Sequence, residues 1–219
     1  FRDIVINEIY FDTDFTAGIP NYEFVEIYNR GSEAIELRDF ALTDKRDTAY
    51  LTSYVLEPSA YLTISTQAGK LNFQSYGPAI GVNSFPSLSN TGETIVFLDR
   101  DLNIVDSLQY TQAFYNDPSK DDGGWTVELI NPNKACFDIG NYAASTNADG
   151  GTPGTQNSVY DISPDVSAPS VSSLTVLSTT QLRLEFSESM DIGTLIPGNF
   201  TLQGGIGVST VTLENNFGT

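Results

Sequence analysis

Val5-Ile6-Asn7-Glu8-Ile9-Tyr10 and Glu23-Phe24-Val25-Glu26-Ile27-Tyr28-Asn29 decide the fold of this chain. The first lies in a run from residue 3 to 11 that is rich in isoleucine and aromatic residues. The second, from 22 to 29, alternates charged and apolar positions and is closed by the turn residues Asn29-Arg30-Gly31-Ser32. Side chains on a strand alternate between its two faces, so both runs read as strands of a half-covered sheet. Further runs of the same kind follow at 34–38, 40–43, 50–56, 61–65, 94–98, 104–110 and 125–130. Glu57-Pro58-Ser59 and Asn131-Pro132-Asn133 punctuate them, since proline cannot donate to a sheet ladder. No window of a dozen residues sustains apolar positions at helical spacing. Many short strands without intervening helices predict an all-β, immunoglobulin-like antiparallel β-sandwich.

Three stretches interrupt the pattern. Residues 66–90 carry Gly69, Gly77, Pro78, Gly81 and Pro86 and are expected to form a long loop or short peripheral turns. Residues 111–124 form a second long loop ending in Asp121-Asp122-Gly123-Gly124. Residues 141–158 are rich in Asn, Ser, Thr and Gly, with little to pack. Within them Pro153-Gly154 suits the centre of a type II turn, where proline presets one dihedral and glycine accepts the positive one.

Composition bounds the chemistry. The chain has 219 residues, 40% of them hydrophobic, enough to bury a core without metals or disulfides. It has no histidine, which removes Ser-His-Asp and Cys-His nucleophile systems and the usual zinc and non-haem iron ligand sets. The single cysteine, Cys136, rules out an internal disulfide and reads as a small buried hydrophobe beside Phe137. The net charge of −18 repels phosphate backbones and anionic membranes, so direct nucleic-acid contact is not expected. No apolar stretch is long enough to span a membrane. Phe1 opens directly on a strand pattern without a signal peptide, so a targeting segment is expected to lie before it.

A second β pattern begins after a linker at 161–170 that holds Asp161, Pro164, Asp165 and Pro169. Strands are expected at 171–177, 181–186, 199–202 and 208–213. Residues 171–219 are about half the hundred residues that such a sandwich uses, so an incomplete domain is expected there. The organisation expected is thus a sandwich at 1–160, a linker at 161–170 and a partial immunoglobulin-like domain at 171–219.

The signature phrases, taken in order, resemble the lamin-tail domain, an immunoglobulin-like module of nuclear lamins and many bacterial surface proteins. They are Ile6-Asn7-Glu8-Ile9, Phe24-Val25-Glu26-Ile27-Tyr28-Asn29, Leu37-Arg38-Asp39-Phe40, Leu88-Ser89-Asn90-Thr91-Gly92-Glu93, Trp125-Thr126-Val127-Glu128-Leu129 and the closing Gly151-Thr152-Pro153-Gly154. Phe40 or a neighbour stands where the family usually has tryptophan. Leu184-Glu185-Phe186-Ser187-Glu188-Ser189-Met190-Asp191 with Asn199-Phe200-Thr201-Leu202 resembles a bacterial immunoglobulin-like repeat. The resemblance implies no catalytic residues. It implies an accessory module for attachment, extracellular or on the cell surface, with a protein or a surface glycan as partner.

Three carboxylate groupings are candidate sites. Asp99-Arg100-Asp101-Leu102-Asn103 has oxygen ligands at alternate positions but lacks the glycine and glutamate of a calcium loop, and a hairpin turn explains it. Asp117, Asp121 and Asp122 share a loop with Tyr115 and Trp125, while Asp12 and Asp14 lie in the first loop. Together they could hold calcium if the loops met, and the alternative is a solvated surface. Glu8, Glu23 and Glu26 could pair as glycosidase carboxylates. Their place in the signature phrases suits instead the tying of strand ends to loop amides. Three functions stay open at this level: a non-catalytic binding module of an exported bacterial protein, an accessory domain of a larger exported hydrolase, and a calcium-dependent carbohydrate-binding module.

Overall fold

Strand β1 (Ile4–Tyr10) is buried along its whole length, because it lies inside a sheet covered on both faces. The computed structural model describes residues 3–13, 18–134, 139–163, 168–187, 190, 192–204 and 206–212. It divides into two compact units: Phe1–Asn133 with Ile139–Ile162, and Ser163–Thr219 with Lys134–Asp138.

In the first unit β2 (Phe24–Asn29) pairs antiparallel with β1, bringing Glu8 opposite Glu26 and Tyr10 opposite Phe24. Then come β3 (Ile35–Glu36), β4 (Ala41–Thr43), β5 (Thr48–Tyr50), β6 (Val55–Leu56) and β7 (Tyr61–Thr66). Helix α1 (Gln67–Phe73) leads to β8 (Ala79–Val82), followed by β9 (Gly92–Leu98), β10 (Ile104–Thr111), β11 (Val127–Leu129) and β12 (Tyr142–Ala144). The large sheet has the order β12-β11-β1-β2-β7-β8, and the second β10-β9-β4-β5. Ile9, Val25, Ile27, Leu62, Ile64 and Val127 of the first sheet are buried, as are Leu42, Ala49, Ile95, Phe97, Leu108 and Tyr110 of the second. Each valine, leucine, isoleucine or phenylalanine among them contributes about 1.5–3 kcal/mol by its burial. The β-sandwich expected from the alternating runs is therefore present.

Several expectations are corrected. Residues 66–90 are not loop and turns throughout: Thr66 caps α1, its Oγ1 accepting from the Gly69 amide at 3.0 Å, and Phe73 is buried with Tyr10, Ile19 and Phe24. Seven residues containing a glycine are too few to show helical periodicity. The helix carries the chain over to β8, which pairs parallel with β7, so the large sheet is not wholly antiparallel. The run at 50–56 is two strands in different sheets. Leu51 bonds to Phe40, and the Glu36 carboxylate accepts from the Ser53 hydroxyl and the Tyr54 amide, turning the chain between β5 and β6. Residues 112–115 form a turn of 3-10 helix within the second expected loop. Residues 141–158, expected to pack little, contain β12 and the buried Ser145, Thr152 and Asn157.

In the second unit β13 (Val171–Ser178) and β14 (Gln181–Phe186) form a hairpin, as the alternation indicates. Residues 199–202 and 208–212 are not strands; Pro197–Asn199 is a 3-10 turn. Cys136, Asp14 and Leu213 lie outside the described residues.

Candidate functional site

Three glutamates line up across the outer face of the large sheet. Glu8 sits opposite Glu128 of β11 on one side and Glu26 of β2 on the other, and Thr63 of β7 continues the row. All three carboxyl groups are fully buried. An unpaired buried charge costs several kcal/mol, so each must be satisfied by hydrogen bonds. Glu26 accepts from Asn7 Nδ2 at 3.0 Å, from Thr63 Oγ1 at 3.0 Å and from the Gly154 amide. Glu8 Oε1 accepts from Thr126 Oγ1 at 2.6 Å and from the Thr152 amide at 2.8 Å. Glu128 accepts from the hydroxyls of Thr152 and Ser158 and from the Val159 amide. Burial pushes the Glu8 carboxyl well up, and the charges of Glu26 and Glu128 push the same way. Burial likewise raises Glu26 to about 7, against the pull of its donors.

Most of those donors belong to residues 145–159, which cross the row as a strap. Pro153 and Gly154 form its turn, with Thr155 N donating to Thr152 O at 3.1 Å and Gly154 at φ +81°. That is the turn expected from the sequence. A Cβ on Gly154 would lie 2.6 Å from the Gly77 Cα, so the strap crosses backbone against backbone. Glu8 and Glu26 thus do the structural task assigned to them, tying strands to loop amides. Glu23 lies just before β2 and its Oε2 accepts from the Leu88 amide at 3.1 Å. Glu128, Thr152 and Asn157 were not singled out from sequence. The signal for Glu128 was available: apolar strands carry Asn7-Glu8-Ile9, Val25-Glu26-Ile27 and Val127-Glu128-Leu129 in turn.

The aspartate loops do meet at one end. The Gly124 amide donates to Asp12 O at 2.8 Å, and Gly123 lies against the Asp12 carboxyl. Asp117 is engaged within its own loop, accepting from the Ser119 hydroxyl at 2.7 Å and amide at 2.9 Å, which holds it below the usual carboxylate range. Asp121 and Asp122 are exposed. Lys120 reaches the Ser145 carbonyl and lies 4.5 Å from the Trp125 ring centre, so a cation already occupies this loop. Among the described residues no group of three acidic or cysteine side chains is placed to hold a metal. Asp99 accepts from the Asp101 and Asn103 amides and from Asn103 Nδ2, closing the β9–β10 hairpin as a turn.

The second sheet offers a different surface. Ile104, Leu98, Ala41 and Tyr50 are register partners across β10, β9, β4 and β5, and so share one face. The neighbouring Phe97, Leu42 and Ala49 point the other way, into the core. Ile104 is 62% exposed and Tyr50 57%. Within the row Leu98 is half-buried and Ala41 fully buried, so Ile104 and Tyr50 are its open ends, while the outer face of the large sheet is covered by the strap and α1. Among the described residues no helix is long and apolar enough to cross a membrane.

The family described as Lamin Tail Domain matches residues 1–112. No curated protein matches the sequence.

Proposed function

Because the chain belongs to the lamin tail domain family, we propose that it is a non-catalytic binding or scaffold module of an exported bacterial surface protein, attaching to protein or glycan at the cell surface. The observation that carries this reading is the pair of exposed apolar side chains, Ile104 and Tyr50, at the two ends of a register row across the second sheet. Apolar and aromatic side chains in a row on a rigid sheet give a binding face at small entropic cost. The family supports a binding or scaffold role in general terms. The glutamates nearest to a catalytic pair are buried and accept hydrogen bonds from the strap, which supports a structural use for them. The alternating β13–β14 hairpin supports reading the second unit as part of an immunoglobulin-like surface repeat.

The test is sedimentation of the full chain with intact bacterial envelopes and with purified envelope glycan, wild type against Ile104→Asp with Tyr50→Asp. The double variant is expected to bind about tenfold more weakly or worse, since buried apolar anchors dominate such interfaces. Equal binding of both forms, or none by the wild type, would reject the proposal.

A further inference from the structure

The Thr152 hydroxyl lies 2.9 Å from Glu128 Oε1 and 3.5 Å from Glu8 Oε2. It owns one proton and can donate to only one of them. Glu8 Oε1 is saturated by the Thr126 hydroxyl and the Thr152 amide, and Glu128 Oε2 by Ser158 and Val159. If both carboxylates were charged, Glu8 Oε2 would face a hydroxyl oxygen whose proton is already given to Glu128. Two charges would also sit opposite each other in a dry row, with Glu26 as a third. A proton on Glu8 Oε2 resolves this. It donates to Thr152 Oγ1, which donates in turn to Glu128 Oε1, and each oxygen of this relay then has a partner.

We propose that Glu8 is a neutral carboxylic acid in the folded protein, and that its proton, relayed through the Thr152 hydroxyl to Glu128, forms a pH-dependent clasp holding the strap 145–159 on the sheet. The groups facing Glu8 are few. β2 brings Glu26, β11 brings Glu128, the segment before β11 brings Thr126, and the strap brings Thr152 and Gly151. Among the described residues no lysine or arginine is paired with any of the three glutamates. A cation that would allow all three to ionise is therefore missing from the row. Burial and the two neighbouring carboxylates act in the direction the geometry requires. The folded state binds a proton that the unfolded chain releases, so the clasp is firm in acid and loosens as pH rises through the folded value of Glu8.

The experiment uses the full chain. Infrared spectroscopy at neutral pH, run with Glu26→Gln as the parent because Glu26 itself is raised to about 7, is expected to show a protonated-carboxyl stretch that is lost when Glu8→Gln is added and kept when Glu128→Gln is added. Glutamine at position 8 reproduces the neutral acid: its oxygen accepts from Thr126 and Thr152, and its amide donates to the Thr152 hydroxyl. Hydrogen exchange of the Thr152 and Gly154 amides, measured against Val96 and Phe97 in β9, reports the strap. Protection in the same Glu26→Gln parent is expected to fall by up to about tenfold for each pH unit between the ordinary glutamate range and the Glu8 titration, and to level off above it. With Glu8→Gln added it stays at the acid level. No carboxylic-acid band in the folded Glu26→Gln parent, a band that survives the addition of Glu8→Gln, or strap protection indifferent to pH would each overturn the clasp. If the variant with Glu8→Gln does not fold, the band of the Glu26→Gln parent and its loss together with strap protection on alkaline titration decide the question alone.

Discussion

Asn7 and Asn157, 150 positions apart, grip each other: Nδ2 of Asn7 donates to Oδ1 of Asn157 at 2.7 Å, and Nδ2 of Asn157 donates to the Asn7 carbonyl at 3.0 Å. Asn157 Nδ2 also reaches the Leu129 carbonyl at 2.8 Å. Asn7 sits at the irregularity in the β1–β2 pairing, where the Ile6 amide donates to Asp106 Oδ2 at 2.8 Å. Asn157 therefore supplies partners to backbone groups that the interrupted ladder does not.

Replacing Asn157 with alanine leaves the Asn7 amide and carbonyl short of partners in a buried site. Each orphaned group costs about 1–3 kcal/mol, and a total loss of about 2–4 kcal/mol is expected. Urea unfolding of wild type and variant measures it. A loss below about 0.5 kcal/mol would place Asn157 among ordinary surface residues.

Gly154→Ala meets two obstacles, a φ of +81° and the Gly77 Cα at 2.6 Å from the new methyl. The left-handed conformation alone costs about 1 kcal/mol for a side chain, and the backbone contact adds to it, so about 2–4 kcal/mol is expected. Gly198→Ala is the control, because nothing lies within 4 Å of its Cβ position. It should change stability by no more than about 0.5 kcal/mol. Comparable losses in the two variants would contradict the tight crossing of the strap.

The raised value of Glu26 gives stability a pH dependence of definite sign. Its ordinary value is 4.5 and its folded value about 7, so between the two the folded chain holds more protons than the unfolded one. The stability it contributes is fully present below the ordinary value and declines as pH rises to about 7. Denaturant midpoints across this range should fall with rising pH. The fall should persist at high salt, which screens the repulsion of the −18 surface charge but not a buried group. A pH profile that becomes flat once salt is added would assign the effect to the surface.

Calcium should leave the melting temperature unchanged. Asp117 is committed to Ser119, and Lys120 lies 3.9 Å from it. A site with a dissociation constant one-tenth of the added calcium would stabilise the chain by about 1.4 kcal/mol, easily seen by calorimetry. Such a shift, abolished by Asp117→Asn or Asp121→Asn, would restore a metal role for this loop.

The sequence by itself determined the β class, most strand positions, the Pro153-Gly154 turn and the exclusion of histidine chemistry. All of these follow from local patterns: alternation, turn residues and composition. It also assigned Glu8 and Glu26 a structural task, because carboxylates inside apolar strands have little else to do. Tertiary structure alone decided that Glu128 joins them, that a polar, weakly patterned strap is buried across the row, and that β8 adds parallel to β7 behind a seven-residue helix. Those outcomes depend on partners brought together from as far as 150 positions away. Hydrogen bonds to a buried carboxylate leave no period in the chain that supplies the donors, and only the closed sandwich makes the strap's threonine and asparagine side chains interior.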